Sequence, residues 1–142
     1  MTTAPWLLGK PKHNNGSLPV LIVDYNDMPT IAIGIKHAQS AGWPRILTYH
    51  CIPNKNARSA TKKGKRDRNY AMGFQRCYFG DSMDEYPYAS TWENNGSTFL
   101  TNAPMKEQTT QGSQLNTFYK KHGAYSQFNS YFYFEVKVLN CP

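Results

Sequence analysis

The sequence predicts one small domain of mixed α/β (α+β) class, a mixed β-sheet packed with helices. Three observations carry that expectation. At 142 residues and 16.2 kDa the chain has the size of a single ordinary domain. Its 39% hydrophobic and 14% aromatic content is enough to bury a core and too much for a disordered chain. Its apolar residues also change period along the chain, from strand-length runs to helical spacing and back.

Residues 1–17 carry Gly9, Gly16, Pro5, Pro11, Asn14 and Asn15 and read as an irregular arm, which leaves 18–142 as the folded domain. Leu18–Tyr25 is a continuous apolar run of strand length and reads as a buried strand. Asn26-Asp27-Met28-Pro29 reads as a helix start, with Asn26 or Asp27 as the cap and Pro29 in the first turn. Ile31, Ala32, Ile35, Ala38 and Gln39 then recur at helical spacing, and Gly42 with Pro44 ends that helix at about Ala41. Ile46–Tyr49 is the next strand. Strand, helix and strand in that order suggest one layered unit, but the pattern leaves parallel and antiparallel pairing open. Gly96–Thr101 alternates as a short strand does, Pro104–Tyr119 is helical with Leu115 and Phe118 on one face, and Tyr131–Leu139 is the clearest strand of all. The aromatic residues crowded into 125–134 are expected mainly to pack that last strand.

Several classes are excluded early. The longest apolar run, Val20–Val23, is far too short to cross a bilayer, so no membrane partner is expected. The residues after Met1 lack the basic-then-apolar pattern of a signal peptide; export would need a signal that is removed, carried on a larger parent chain, or of another type. Cys51, Cys77 and Cys141 have no zinc-ligand spacing, and their pairing stays open. A monomer is expected.

Charge narrows the partner. Sixteen Lys and Arg against nine Asp and Glu give +7, which favours a polyanion, although a solvated basic face would give the same balance. The charges are also segregated. Lys62, Lys63, Lys65, Arg66 and Arg68 fall in a polar stretch over 53–70, while Asp81, Asp84, Glu85 and Glu93 place four of the nine carboxylates within thirteen positions. A phosphodiester-cutting enzyme needs both: cations to hold the backbone, and carboxylates to hold an oxygen-seeking divalent metal that polarises a phosphoryl oxygen or activates water. The competing reading is a basic loop partly neutralised by an acidic surface. Pro87 biases Tyr86 away from helix, so Asp84 and Glu85 are expected on extended or turn backbone, pointing to different sides. Glu107 and Gln111 are four apart and Gln108 and Gln111 three apart, which puts them on one helix face, either at a site or in water.

Asp84-Glu-Tyr-Pro-Tyr-Ala89, then Glu93 before a small-residue turn, then a Pro-x-x-Glu-Gln-x-x-Gln-Gly-x-x-Leu helix from Pro104, resembles the bacterial NucA/NucB-type deoxyribonucleases. So does the upstream strand followed by Asn26-Asp-Met-Pro29 and a helix ending in Ala-Gly-x-Pro, and so does the C-terminal Phe-x-Val strand. The likeness runs from about Leu18 to Leu139. It implies a small NucB-like endonuclease that hydrolyses DNA, largely without sequence specificity, using a divalent metal (Mg²⁺ or Mn²⁺) and no obligatory histidine base. Carried over by position, Asp84 and Glu85 match the acidic pair, Glu93 matches the residue opening the turn, and Glu107, Gln108 and Gln111 match the polar helix facing it. Asp84 and Glu107 are then expected nearest the metal, Glu85 or Glu93 at the attacking water, Gln108 and Gln111 at the phosphate or hydrated ion, and the five basic residues on DNA. His50, at a strand end, is a further candidate base; His13, His37 and His122 read as solvent, packing or loop residues. One departure stands out: Glu93-Asn94-Asn95 replaces Glu-Gly-Gly, and since Asn tolerates left-handed backbone the turn is expected to survive. Such proteins occur as secreted nucleases and as antibacterial toxin modules. The protein is thus expected to be secreted or delivered into a target cell, in the toxin case with a dedicated immunity protein. The alternatives are a nucleic-acid-binding module of the same fold without catalysis, and a domain binding an acidic protein.

Overall fold

The structure, a computed structural model, describes residues 18–50, 81–94, 98–126 and 131–142. Among these described residues five strands and two helices follow in the order β1 (Val20–Asp24), α1 (Pro29–Ser40), β2 (Ile46–His50), β3 (Asp81–Tyr86), β4 (Phe99–Pro104), α2 (Met105–Lys121) and β5 (Tyr131–Leu139), with a 3₁₀ turn at Ala124–Ser126. This is the expected α+β class. The arm at 1–17, the basic stretch with Lys62, Lys63, Lys65, Arg66 and Arg68, and Cys51 and Cys77 lie outside the described residues.

The open question of pairing is settled by the C-terminus. β1 and β2 are not neighbours: β5 inserts between them, parallel to β1 and antiparallel to β2. A strand flanked on both sides must bury most of its length, and Phe132, Tyr133, Phe134 and Val136 are all buried. β1 sits at the edge and is buried on one face only. Leu21 and Val23 face the core, whereas Val20 and Ile22 are each 40% exposed, so the expected buried strand is half-buried. β3 and β4 form a separate antiparallel pair in which Asp84 stands opposite Thr101 and Tyr86 opposite Phe99. The strand expected at Gly96–Thr101 therefore lies later, at Phe99–Pro104, because Asn102 and Ala103 still pair with Met83 and Ser82.

α1 begins at Pro29 as expected, but neither Asn26 nor Asp27 caps it. The amides of Asp27 and Met28 both donate to the Asp24 carbonyl at 3.0 Å, a tight turn that leaves Met28 in the cap position with no side-chain acceptor. At the other end Gly42 adopts φ +106°, a conformation that favours glycine, and Trp43 closes the turn by donating to the Ala38 carbonyl at 3.0 Å. Ile31, Ala32, Ile35 and Ala38 pack on the sheet. Gly34 lies so close to β4 that a β-carbon there would stand 3.0 Å from Thr101 Cβ and overlap the Thr101 hydroxyl. Buried Gln39 ties the units together: its amide donates to Val136 O (3.0 Å) and Tyr86 Oη (3.1 Å), and its oxygen accepts from Arg45 (2.9 Å).

α2 completes the core. Phe118 packs on Phe134 and Phe132 with centroids 5.4 and 6.0 Å away, and Tyr119 stacks on Tyr49 at 4.4 Å. Each such fully buried aromatic contributes about 1.5–3 kcal/mol. No helix among the described residues is long and apolar enough to cross a membrane.

Candidate active site

Strand alternation separates the acidic pair of β3. Asp84 turns inward and is 6% exposed; Glu85, its neighbour, is half-buried toward the other side. The two residues of α2 that sit one turn apart, Glu107 and Gln111, are buried against it at 8% and 7% exposure. Gln111 Nε2 donates to Asp84 Oδ1 at 2.6 Å, a bond spanning 27 positions. Glu107 Oε1 accepts from the Ile31 amide at 3.0 Å, so α2 supplies the acceptor that the first turn of α1 does not find in its own cap. β3, α1 and α2 thus converge on two buried carboxylates and one amide.

Such a pair is electrostatically unstable by itself. Burial raises the Asp84 pKa from 3.8 to about 7; the Gln111 bond works against that, and the negative charges of Glu85 and Glu107 add to it. The cluster therefore favours a proton or a cation. Two further atoms point the same way. Gln111 Oε1 and the Tyr88 hydroxyl are both buried with no hydrogen-bond partner. Tyr88 also senses Asp84: burial chiefly, and the Asp84 charge next, push its pKa well above the ordinary tyrosine value.

The donor set can be tested against a divalent metal. Among the described residues no three His, Cys, Asp or Glu side chains converge to hold an ion. What converges instead is two carboxylates and an unpaired amide oxygen, all hard oxygen donors. Mg²⁺ and Mn²⁺ suit that set, because Mg²⁺ characteristically keeps several waters and takes only one or two carboxylates.

The remaining expected residues are placed differently. Glu93 lies at the edge of β2, where its two oxygens accept from Thr48 N (2.7 Å) and Thr48 Oγ1 (2.8 Å). Trp92 N donates to Thr48 O at 2.8 Å and Thr91 bridges Tyr49, so this segment is stitched to β2. Thr48 gave no signal in the sequence, since a threonine in a strand is ordinary. Gln108 is half-buried on α2, one position beyond Glu107. Asn94 does not serve as a glycine substitute. The one non-glycine residue of positive φ among those described is Asn140, whereas Asn94 is wholly buried and donates its amide to Pro87 O at 2.7 Å. Asn95 lies outside the described residues. His122 packs on Phe118 at 4.6 Å, His37 is exposed on α1, His13 lies outside the described residues, and of His50 the structure describes only the backbone, at the end of β2.

Comparison with known proteins adds a family. No curated protein matches the chain. A family model described as Deoxyribonuclease NucA/NucB matches residues 35–130, from the middle of α1 to the approach of β5, and this stretch contains Asp84, Glu107 and Gln111. With more than half of its length matched, the chain belongs to the deoxyribonuclease NucA/NucB family.

Proposed function

We propose that this protein is a divalent-metal-dependent endonuclease that hydrolyses DNA phosphodiesters largely without sequence specificity. Family membership supports a nuclease function with DNA as substrate. The observation that carries the finer reading is the buried convergence of Asp84, Gln111 and Glu107. Asp84 and Glu107 would hold the metal, Mg²⁺ or Mn²⁺, which supplies Lewis-acid polarisation of a phosphoryl oxygen when bound. Gln111 fixes the Asp84 carboxylate through Oδ1 and keeps its own oxygen free for a hydrated ion or a phosphate. Glu93 braces its loop against Thr48. Either Glu93 or Glu85, whose charge acts on Asp84 although its side chain turns to the other side of β3, would orient the attacking water, and Gln108, next to Glu107 on α2, would position the phosphate.

Lys62, Lys63, Lys65, Arg66 and Arg68 would hold the DNA backbone, in keeping with the +7 charge. Contacts of that kind reach phosphates and carry no base information, hence cutting without sequence preference. We extend the reading to secretion or delivery into a target cell as an antibacterial toxin, with an acidic immunity protein as partner; co-expression with such a protein should protect the host. The decisive experiment incubates the purified chain with supercoiled plasmid, with Mg²⁺ or Mn²⁺ and with EDTA. Cutting that EDTA abolishes, and that Asp84→Ala and Glu107→Ala abolish while circular dichroism is preserved, is the expected result. Wild-type rates in both variants would overturn the site.

A further inference from the structure

Tyr88 stands on the loop that leaves β3, and its side chain is 3% exposed. The loop holds it rigidly. Thr91 donates both its amide (2.9 Å) and its hydroxyl (2.7 Å) to the Tyr88 carbonyl, and Asn94 donates to the preceding carbonyl of Pro87 at 2.7 Å. Edge-on to the ring at 5.6 Å lies Tyr86, whose hydroxyl is fully used: it accepts from Gln39 and donates to Pro44 O at 2.6 Å. The Tyr88 hydroxyl has no such partner, although it is buried.

A buried hydroxyl without a partner destabilises a fold, and phenylalanine would fill the same space without that penalty. The ring alone therefore does not account for tyrosine. On the Asp84 side a second buried atom is equally unpaired, Gln111 Oε1, and the Asp84 charge acts on Tyr88 directly. A buried hydroxyl that feels the Asp84 charge and a buried amide oxygen on the side chain bonded to Asp84, both unused, match the needs of water molecules around a cation. Such outer partners orient a ligating carboxylate and tune its grip on the ion.

We propose that Tyr88 is a positioning residue of this site: its hydroxyl, together with Gln111 Oε1, engages the water shell of a divalent cation held by Asp84 and Glu107 and so fixes the orientation of Asp84. The proposal rests on the metal-dependent reading given above. Tyr88 is buried away from the surface a DNA backbone would meet, so in this role it acts on cation affinity and turnover and not on DNA binding.

The test uses the whole 142-residue chain and Mn²⁺ alone as probe, titrated calorimetrically into chelator-stripped protein without DNA. Tyr88→Phe should weaken Mn²⁺ binding about tenfold. It should lower kcat on plasmid by a similar factor with KM for DNA unchanged, and melt at or above the wild-type temperature in EDTA. As a control, Tyr125→Phe loses a hydroxyl bonded to Asn116 Oδ1 and should leave Mn²⁺ affinity unchanged. Wild-type Mn²⁺ affinity in Tyr88→Phe would overturn the role of Tyr88 alone. A Tyr88→Phe chain that melts well below wild type, or fails to fold, would make the hydroxyl a structural bond and overturn it too. A wild-type chain that neither binds Mn²⁺ nor cuts plasmid would overturn the nuclease reading itself, and would do so before any variant is made.

Discussion

The two halves of α2 bury different things. Toward its C-terminus the helix buries Phe118 and Tyr119, which pack on Phe132, Phe134 and Tyr49. Toward its N-terminus the same helix buries Glu107 and Gln111. An amphipathic helix selected for stability alone would carry an apolar stripe from end to end. Here the stripe turns polar, and the polar half accumulates what a core avoids: a buried carboxylate whose charge acts on a second buried carboxylate, and an amide oxygen without a partner. The aromatic half holds the helix to the sheet, and that anchoring lets the polar half keep an arrangement unfavourable by itself. Burial is common to both halves; the chemistry of what is buried separates scaffold from site.

Breaking each half should therefore give opposite phenotypes. The largest effect is expected on cutting: Asp84→Ala should lower plasmid cleavage by about a hundredfold or more, the scale on which preorganised charge in an active site acts. Its circular dichroism in EDTA should stay native, because relief of a desolvated carboxylate offsets the loss of the Gln111 bond. Phe118→Ala should do the reverse, destabilising by about 3–5 kcal/mol through the cavity it leaves. Its cleavage per folded molecule, measured well below the melting transition, should stay near wild type. A loss of cutting in Phe118→Ala at a temperature where its circular dichroism is native would erase the division between the halves.

The polar half should also show in the pH dependence of stability. The Asp84 pKa is about 7 in the folded chain against 3.8 for an ordinary aspartate. Between those values the folded protein keeps a proton that the unfolded chain has released. In EDTA this group therefore makes stability fall as pH rises through the window, by at most about 1.4 kcal/mol per pH unit. Urea titrations at a series of pH values should show that slope in wild type and not in Asp84→Asn. Equal slopes in the two proteins would mean that Asp84 is not the group responsible.

How much of this was legible depended on sequence distance. Periodicity gave the helices and strands, since a 3.6-residue or two-residue repeat is a local property; Pro29 and Gly42 marked the ends of α1 for the same reason. The insertion of β5 between β1 and β2 had no local signature, because pairing is decided by which apolar faces meet. The spacing of Glu107 and Gln111 was readable, but their partners were not: Gln111 meets Asp84 across 27 positions, Glu93 meets Thr48 across 45, and Glu107 meets Ile31 across 76. Local capping rules named Asn26 and Asp27 because they rank neighbours, and the acceptor came from another helix. The sequence shows of Asn94 only what its backbone tolerates, whereas its side chain braces the turn by donating to the Pro87 carbonyl.

The smallest effect separates the two oxygens of Glu107. One accepts from the Ile31 amide in the first turn of α1; the charge it shares with the other is what the site would offer to a metal. Glu107→Ala removes both functions, so cutting should be lost and stability in EDTA should drop by about 1 kcal/mol, the usual worth of a helix cap. Glu107→Gln keeps an acceptor for Ile31 while removing the negative charge. It should melt within a degree or two of wild type in EDTA and still fail to cut. If Glu107→Gln cut DNA at the wild-type rate, the charge would be dispensable, Glu107 would be a capping residue of α1 like any other polar brace, and the polar half of α2 would be scaffold after all.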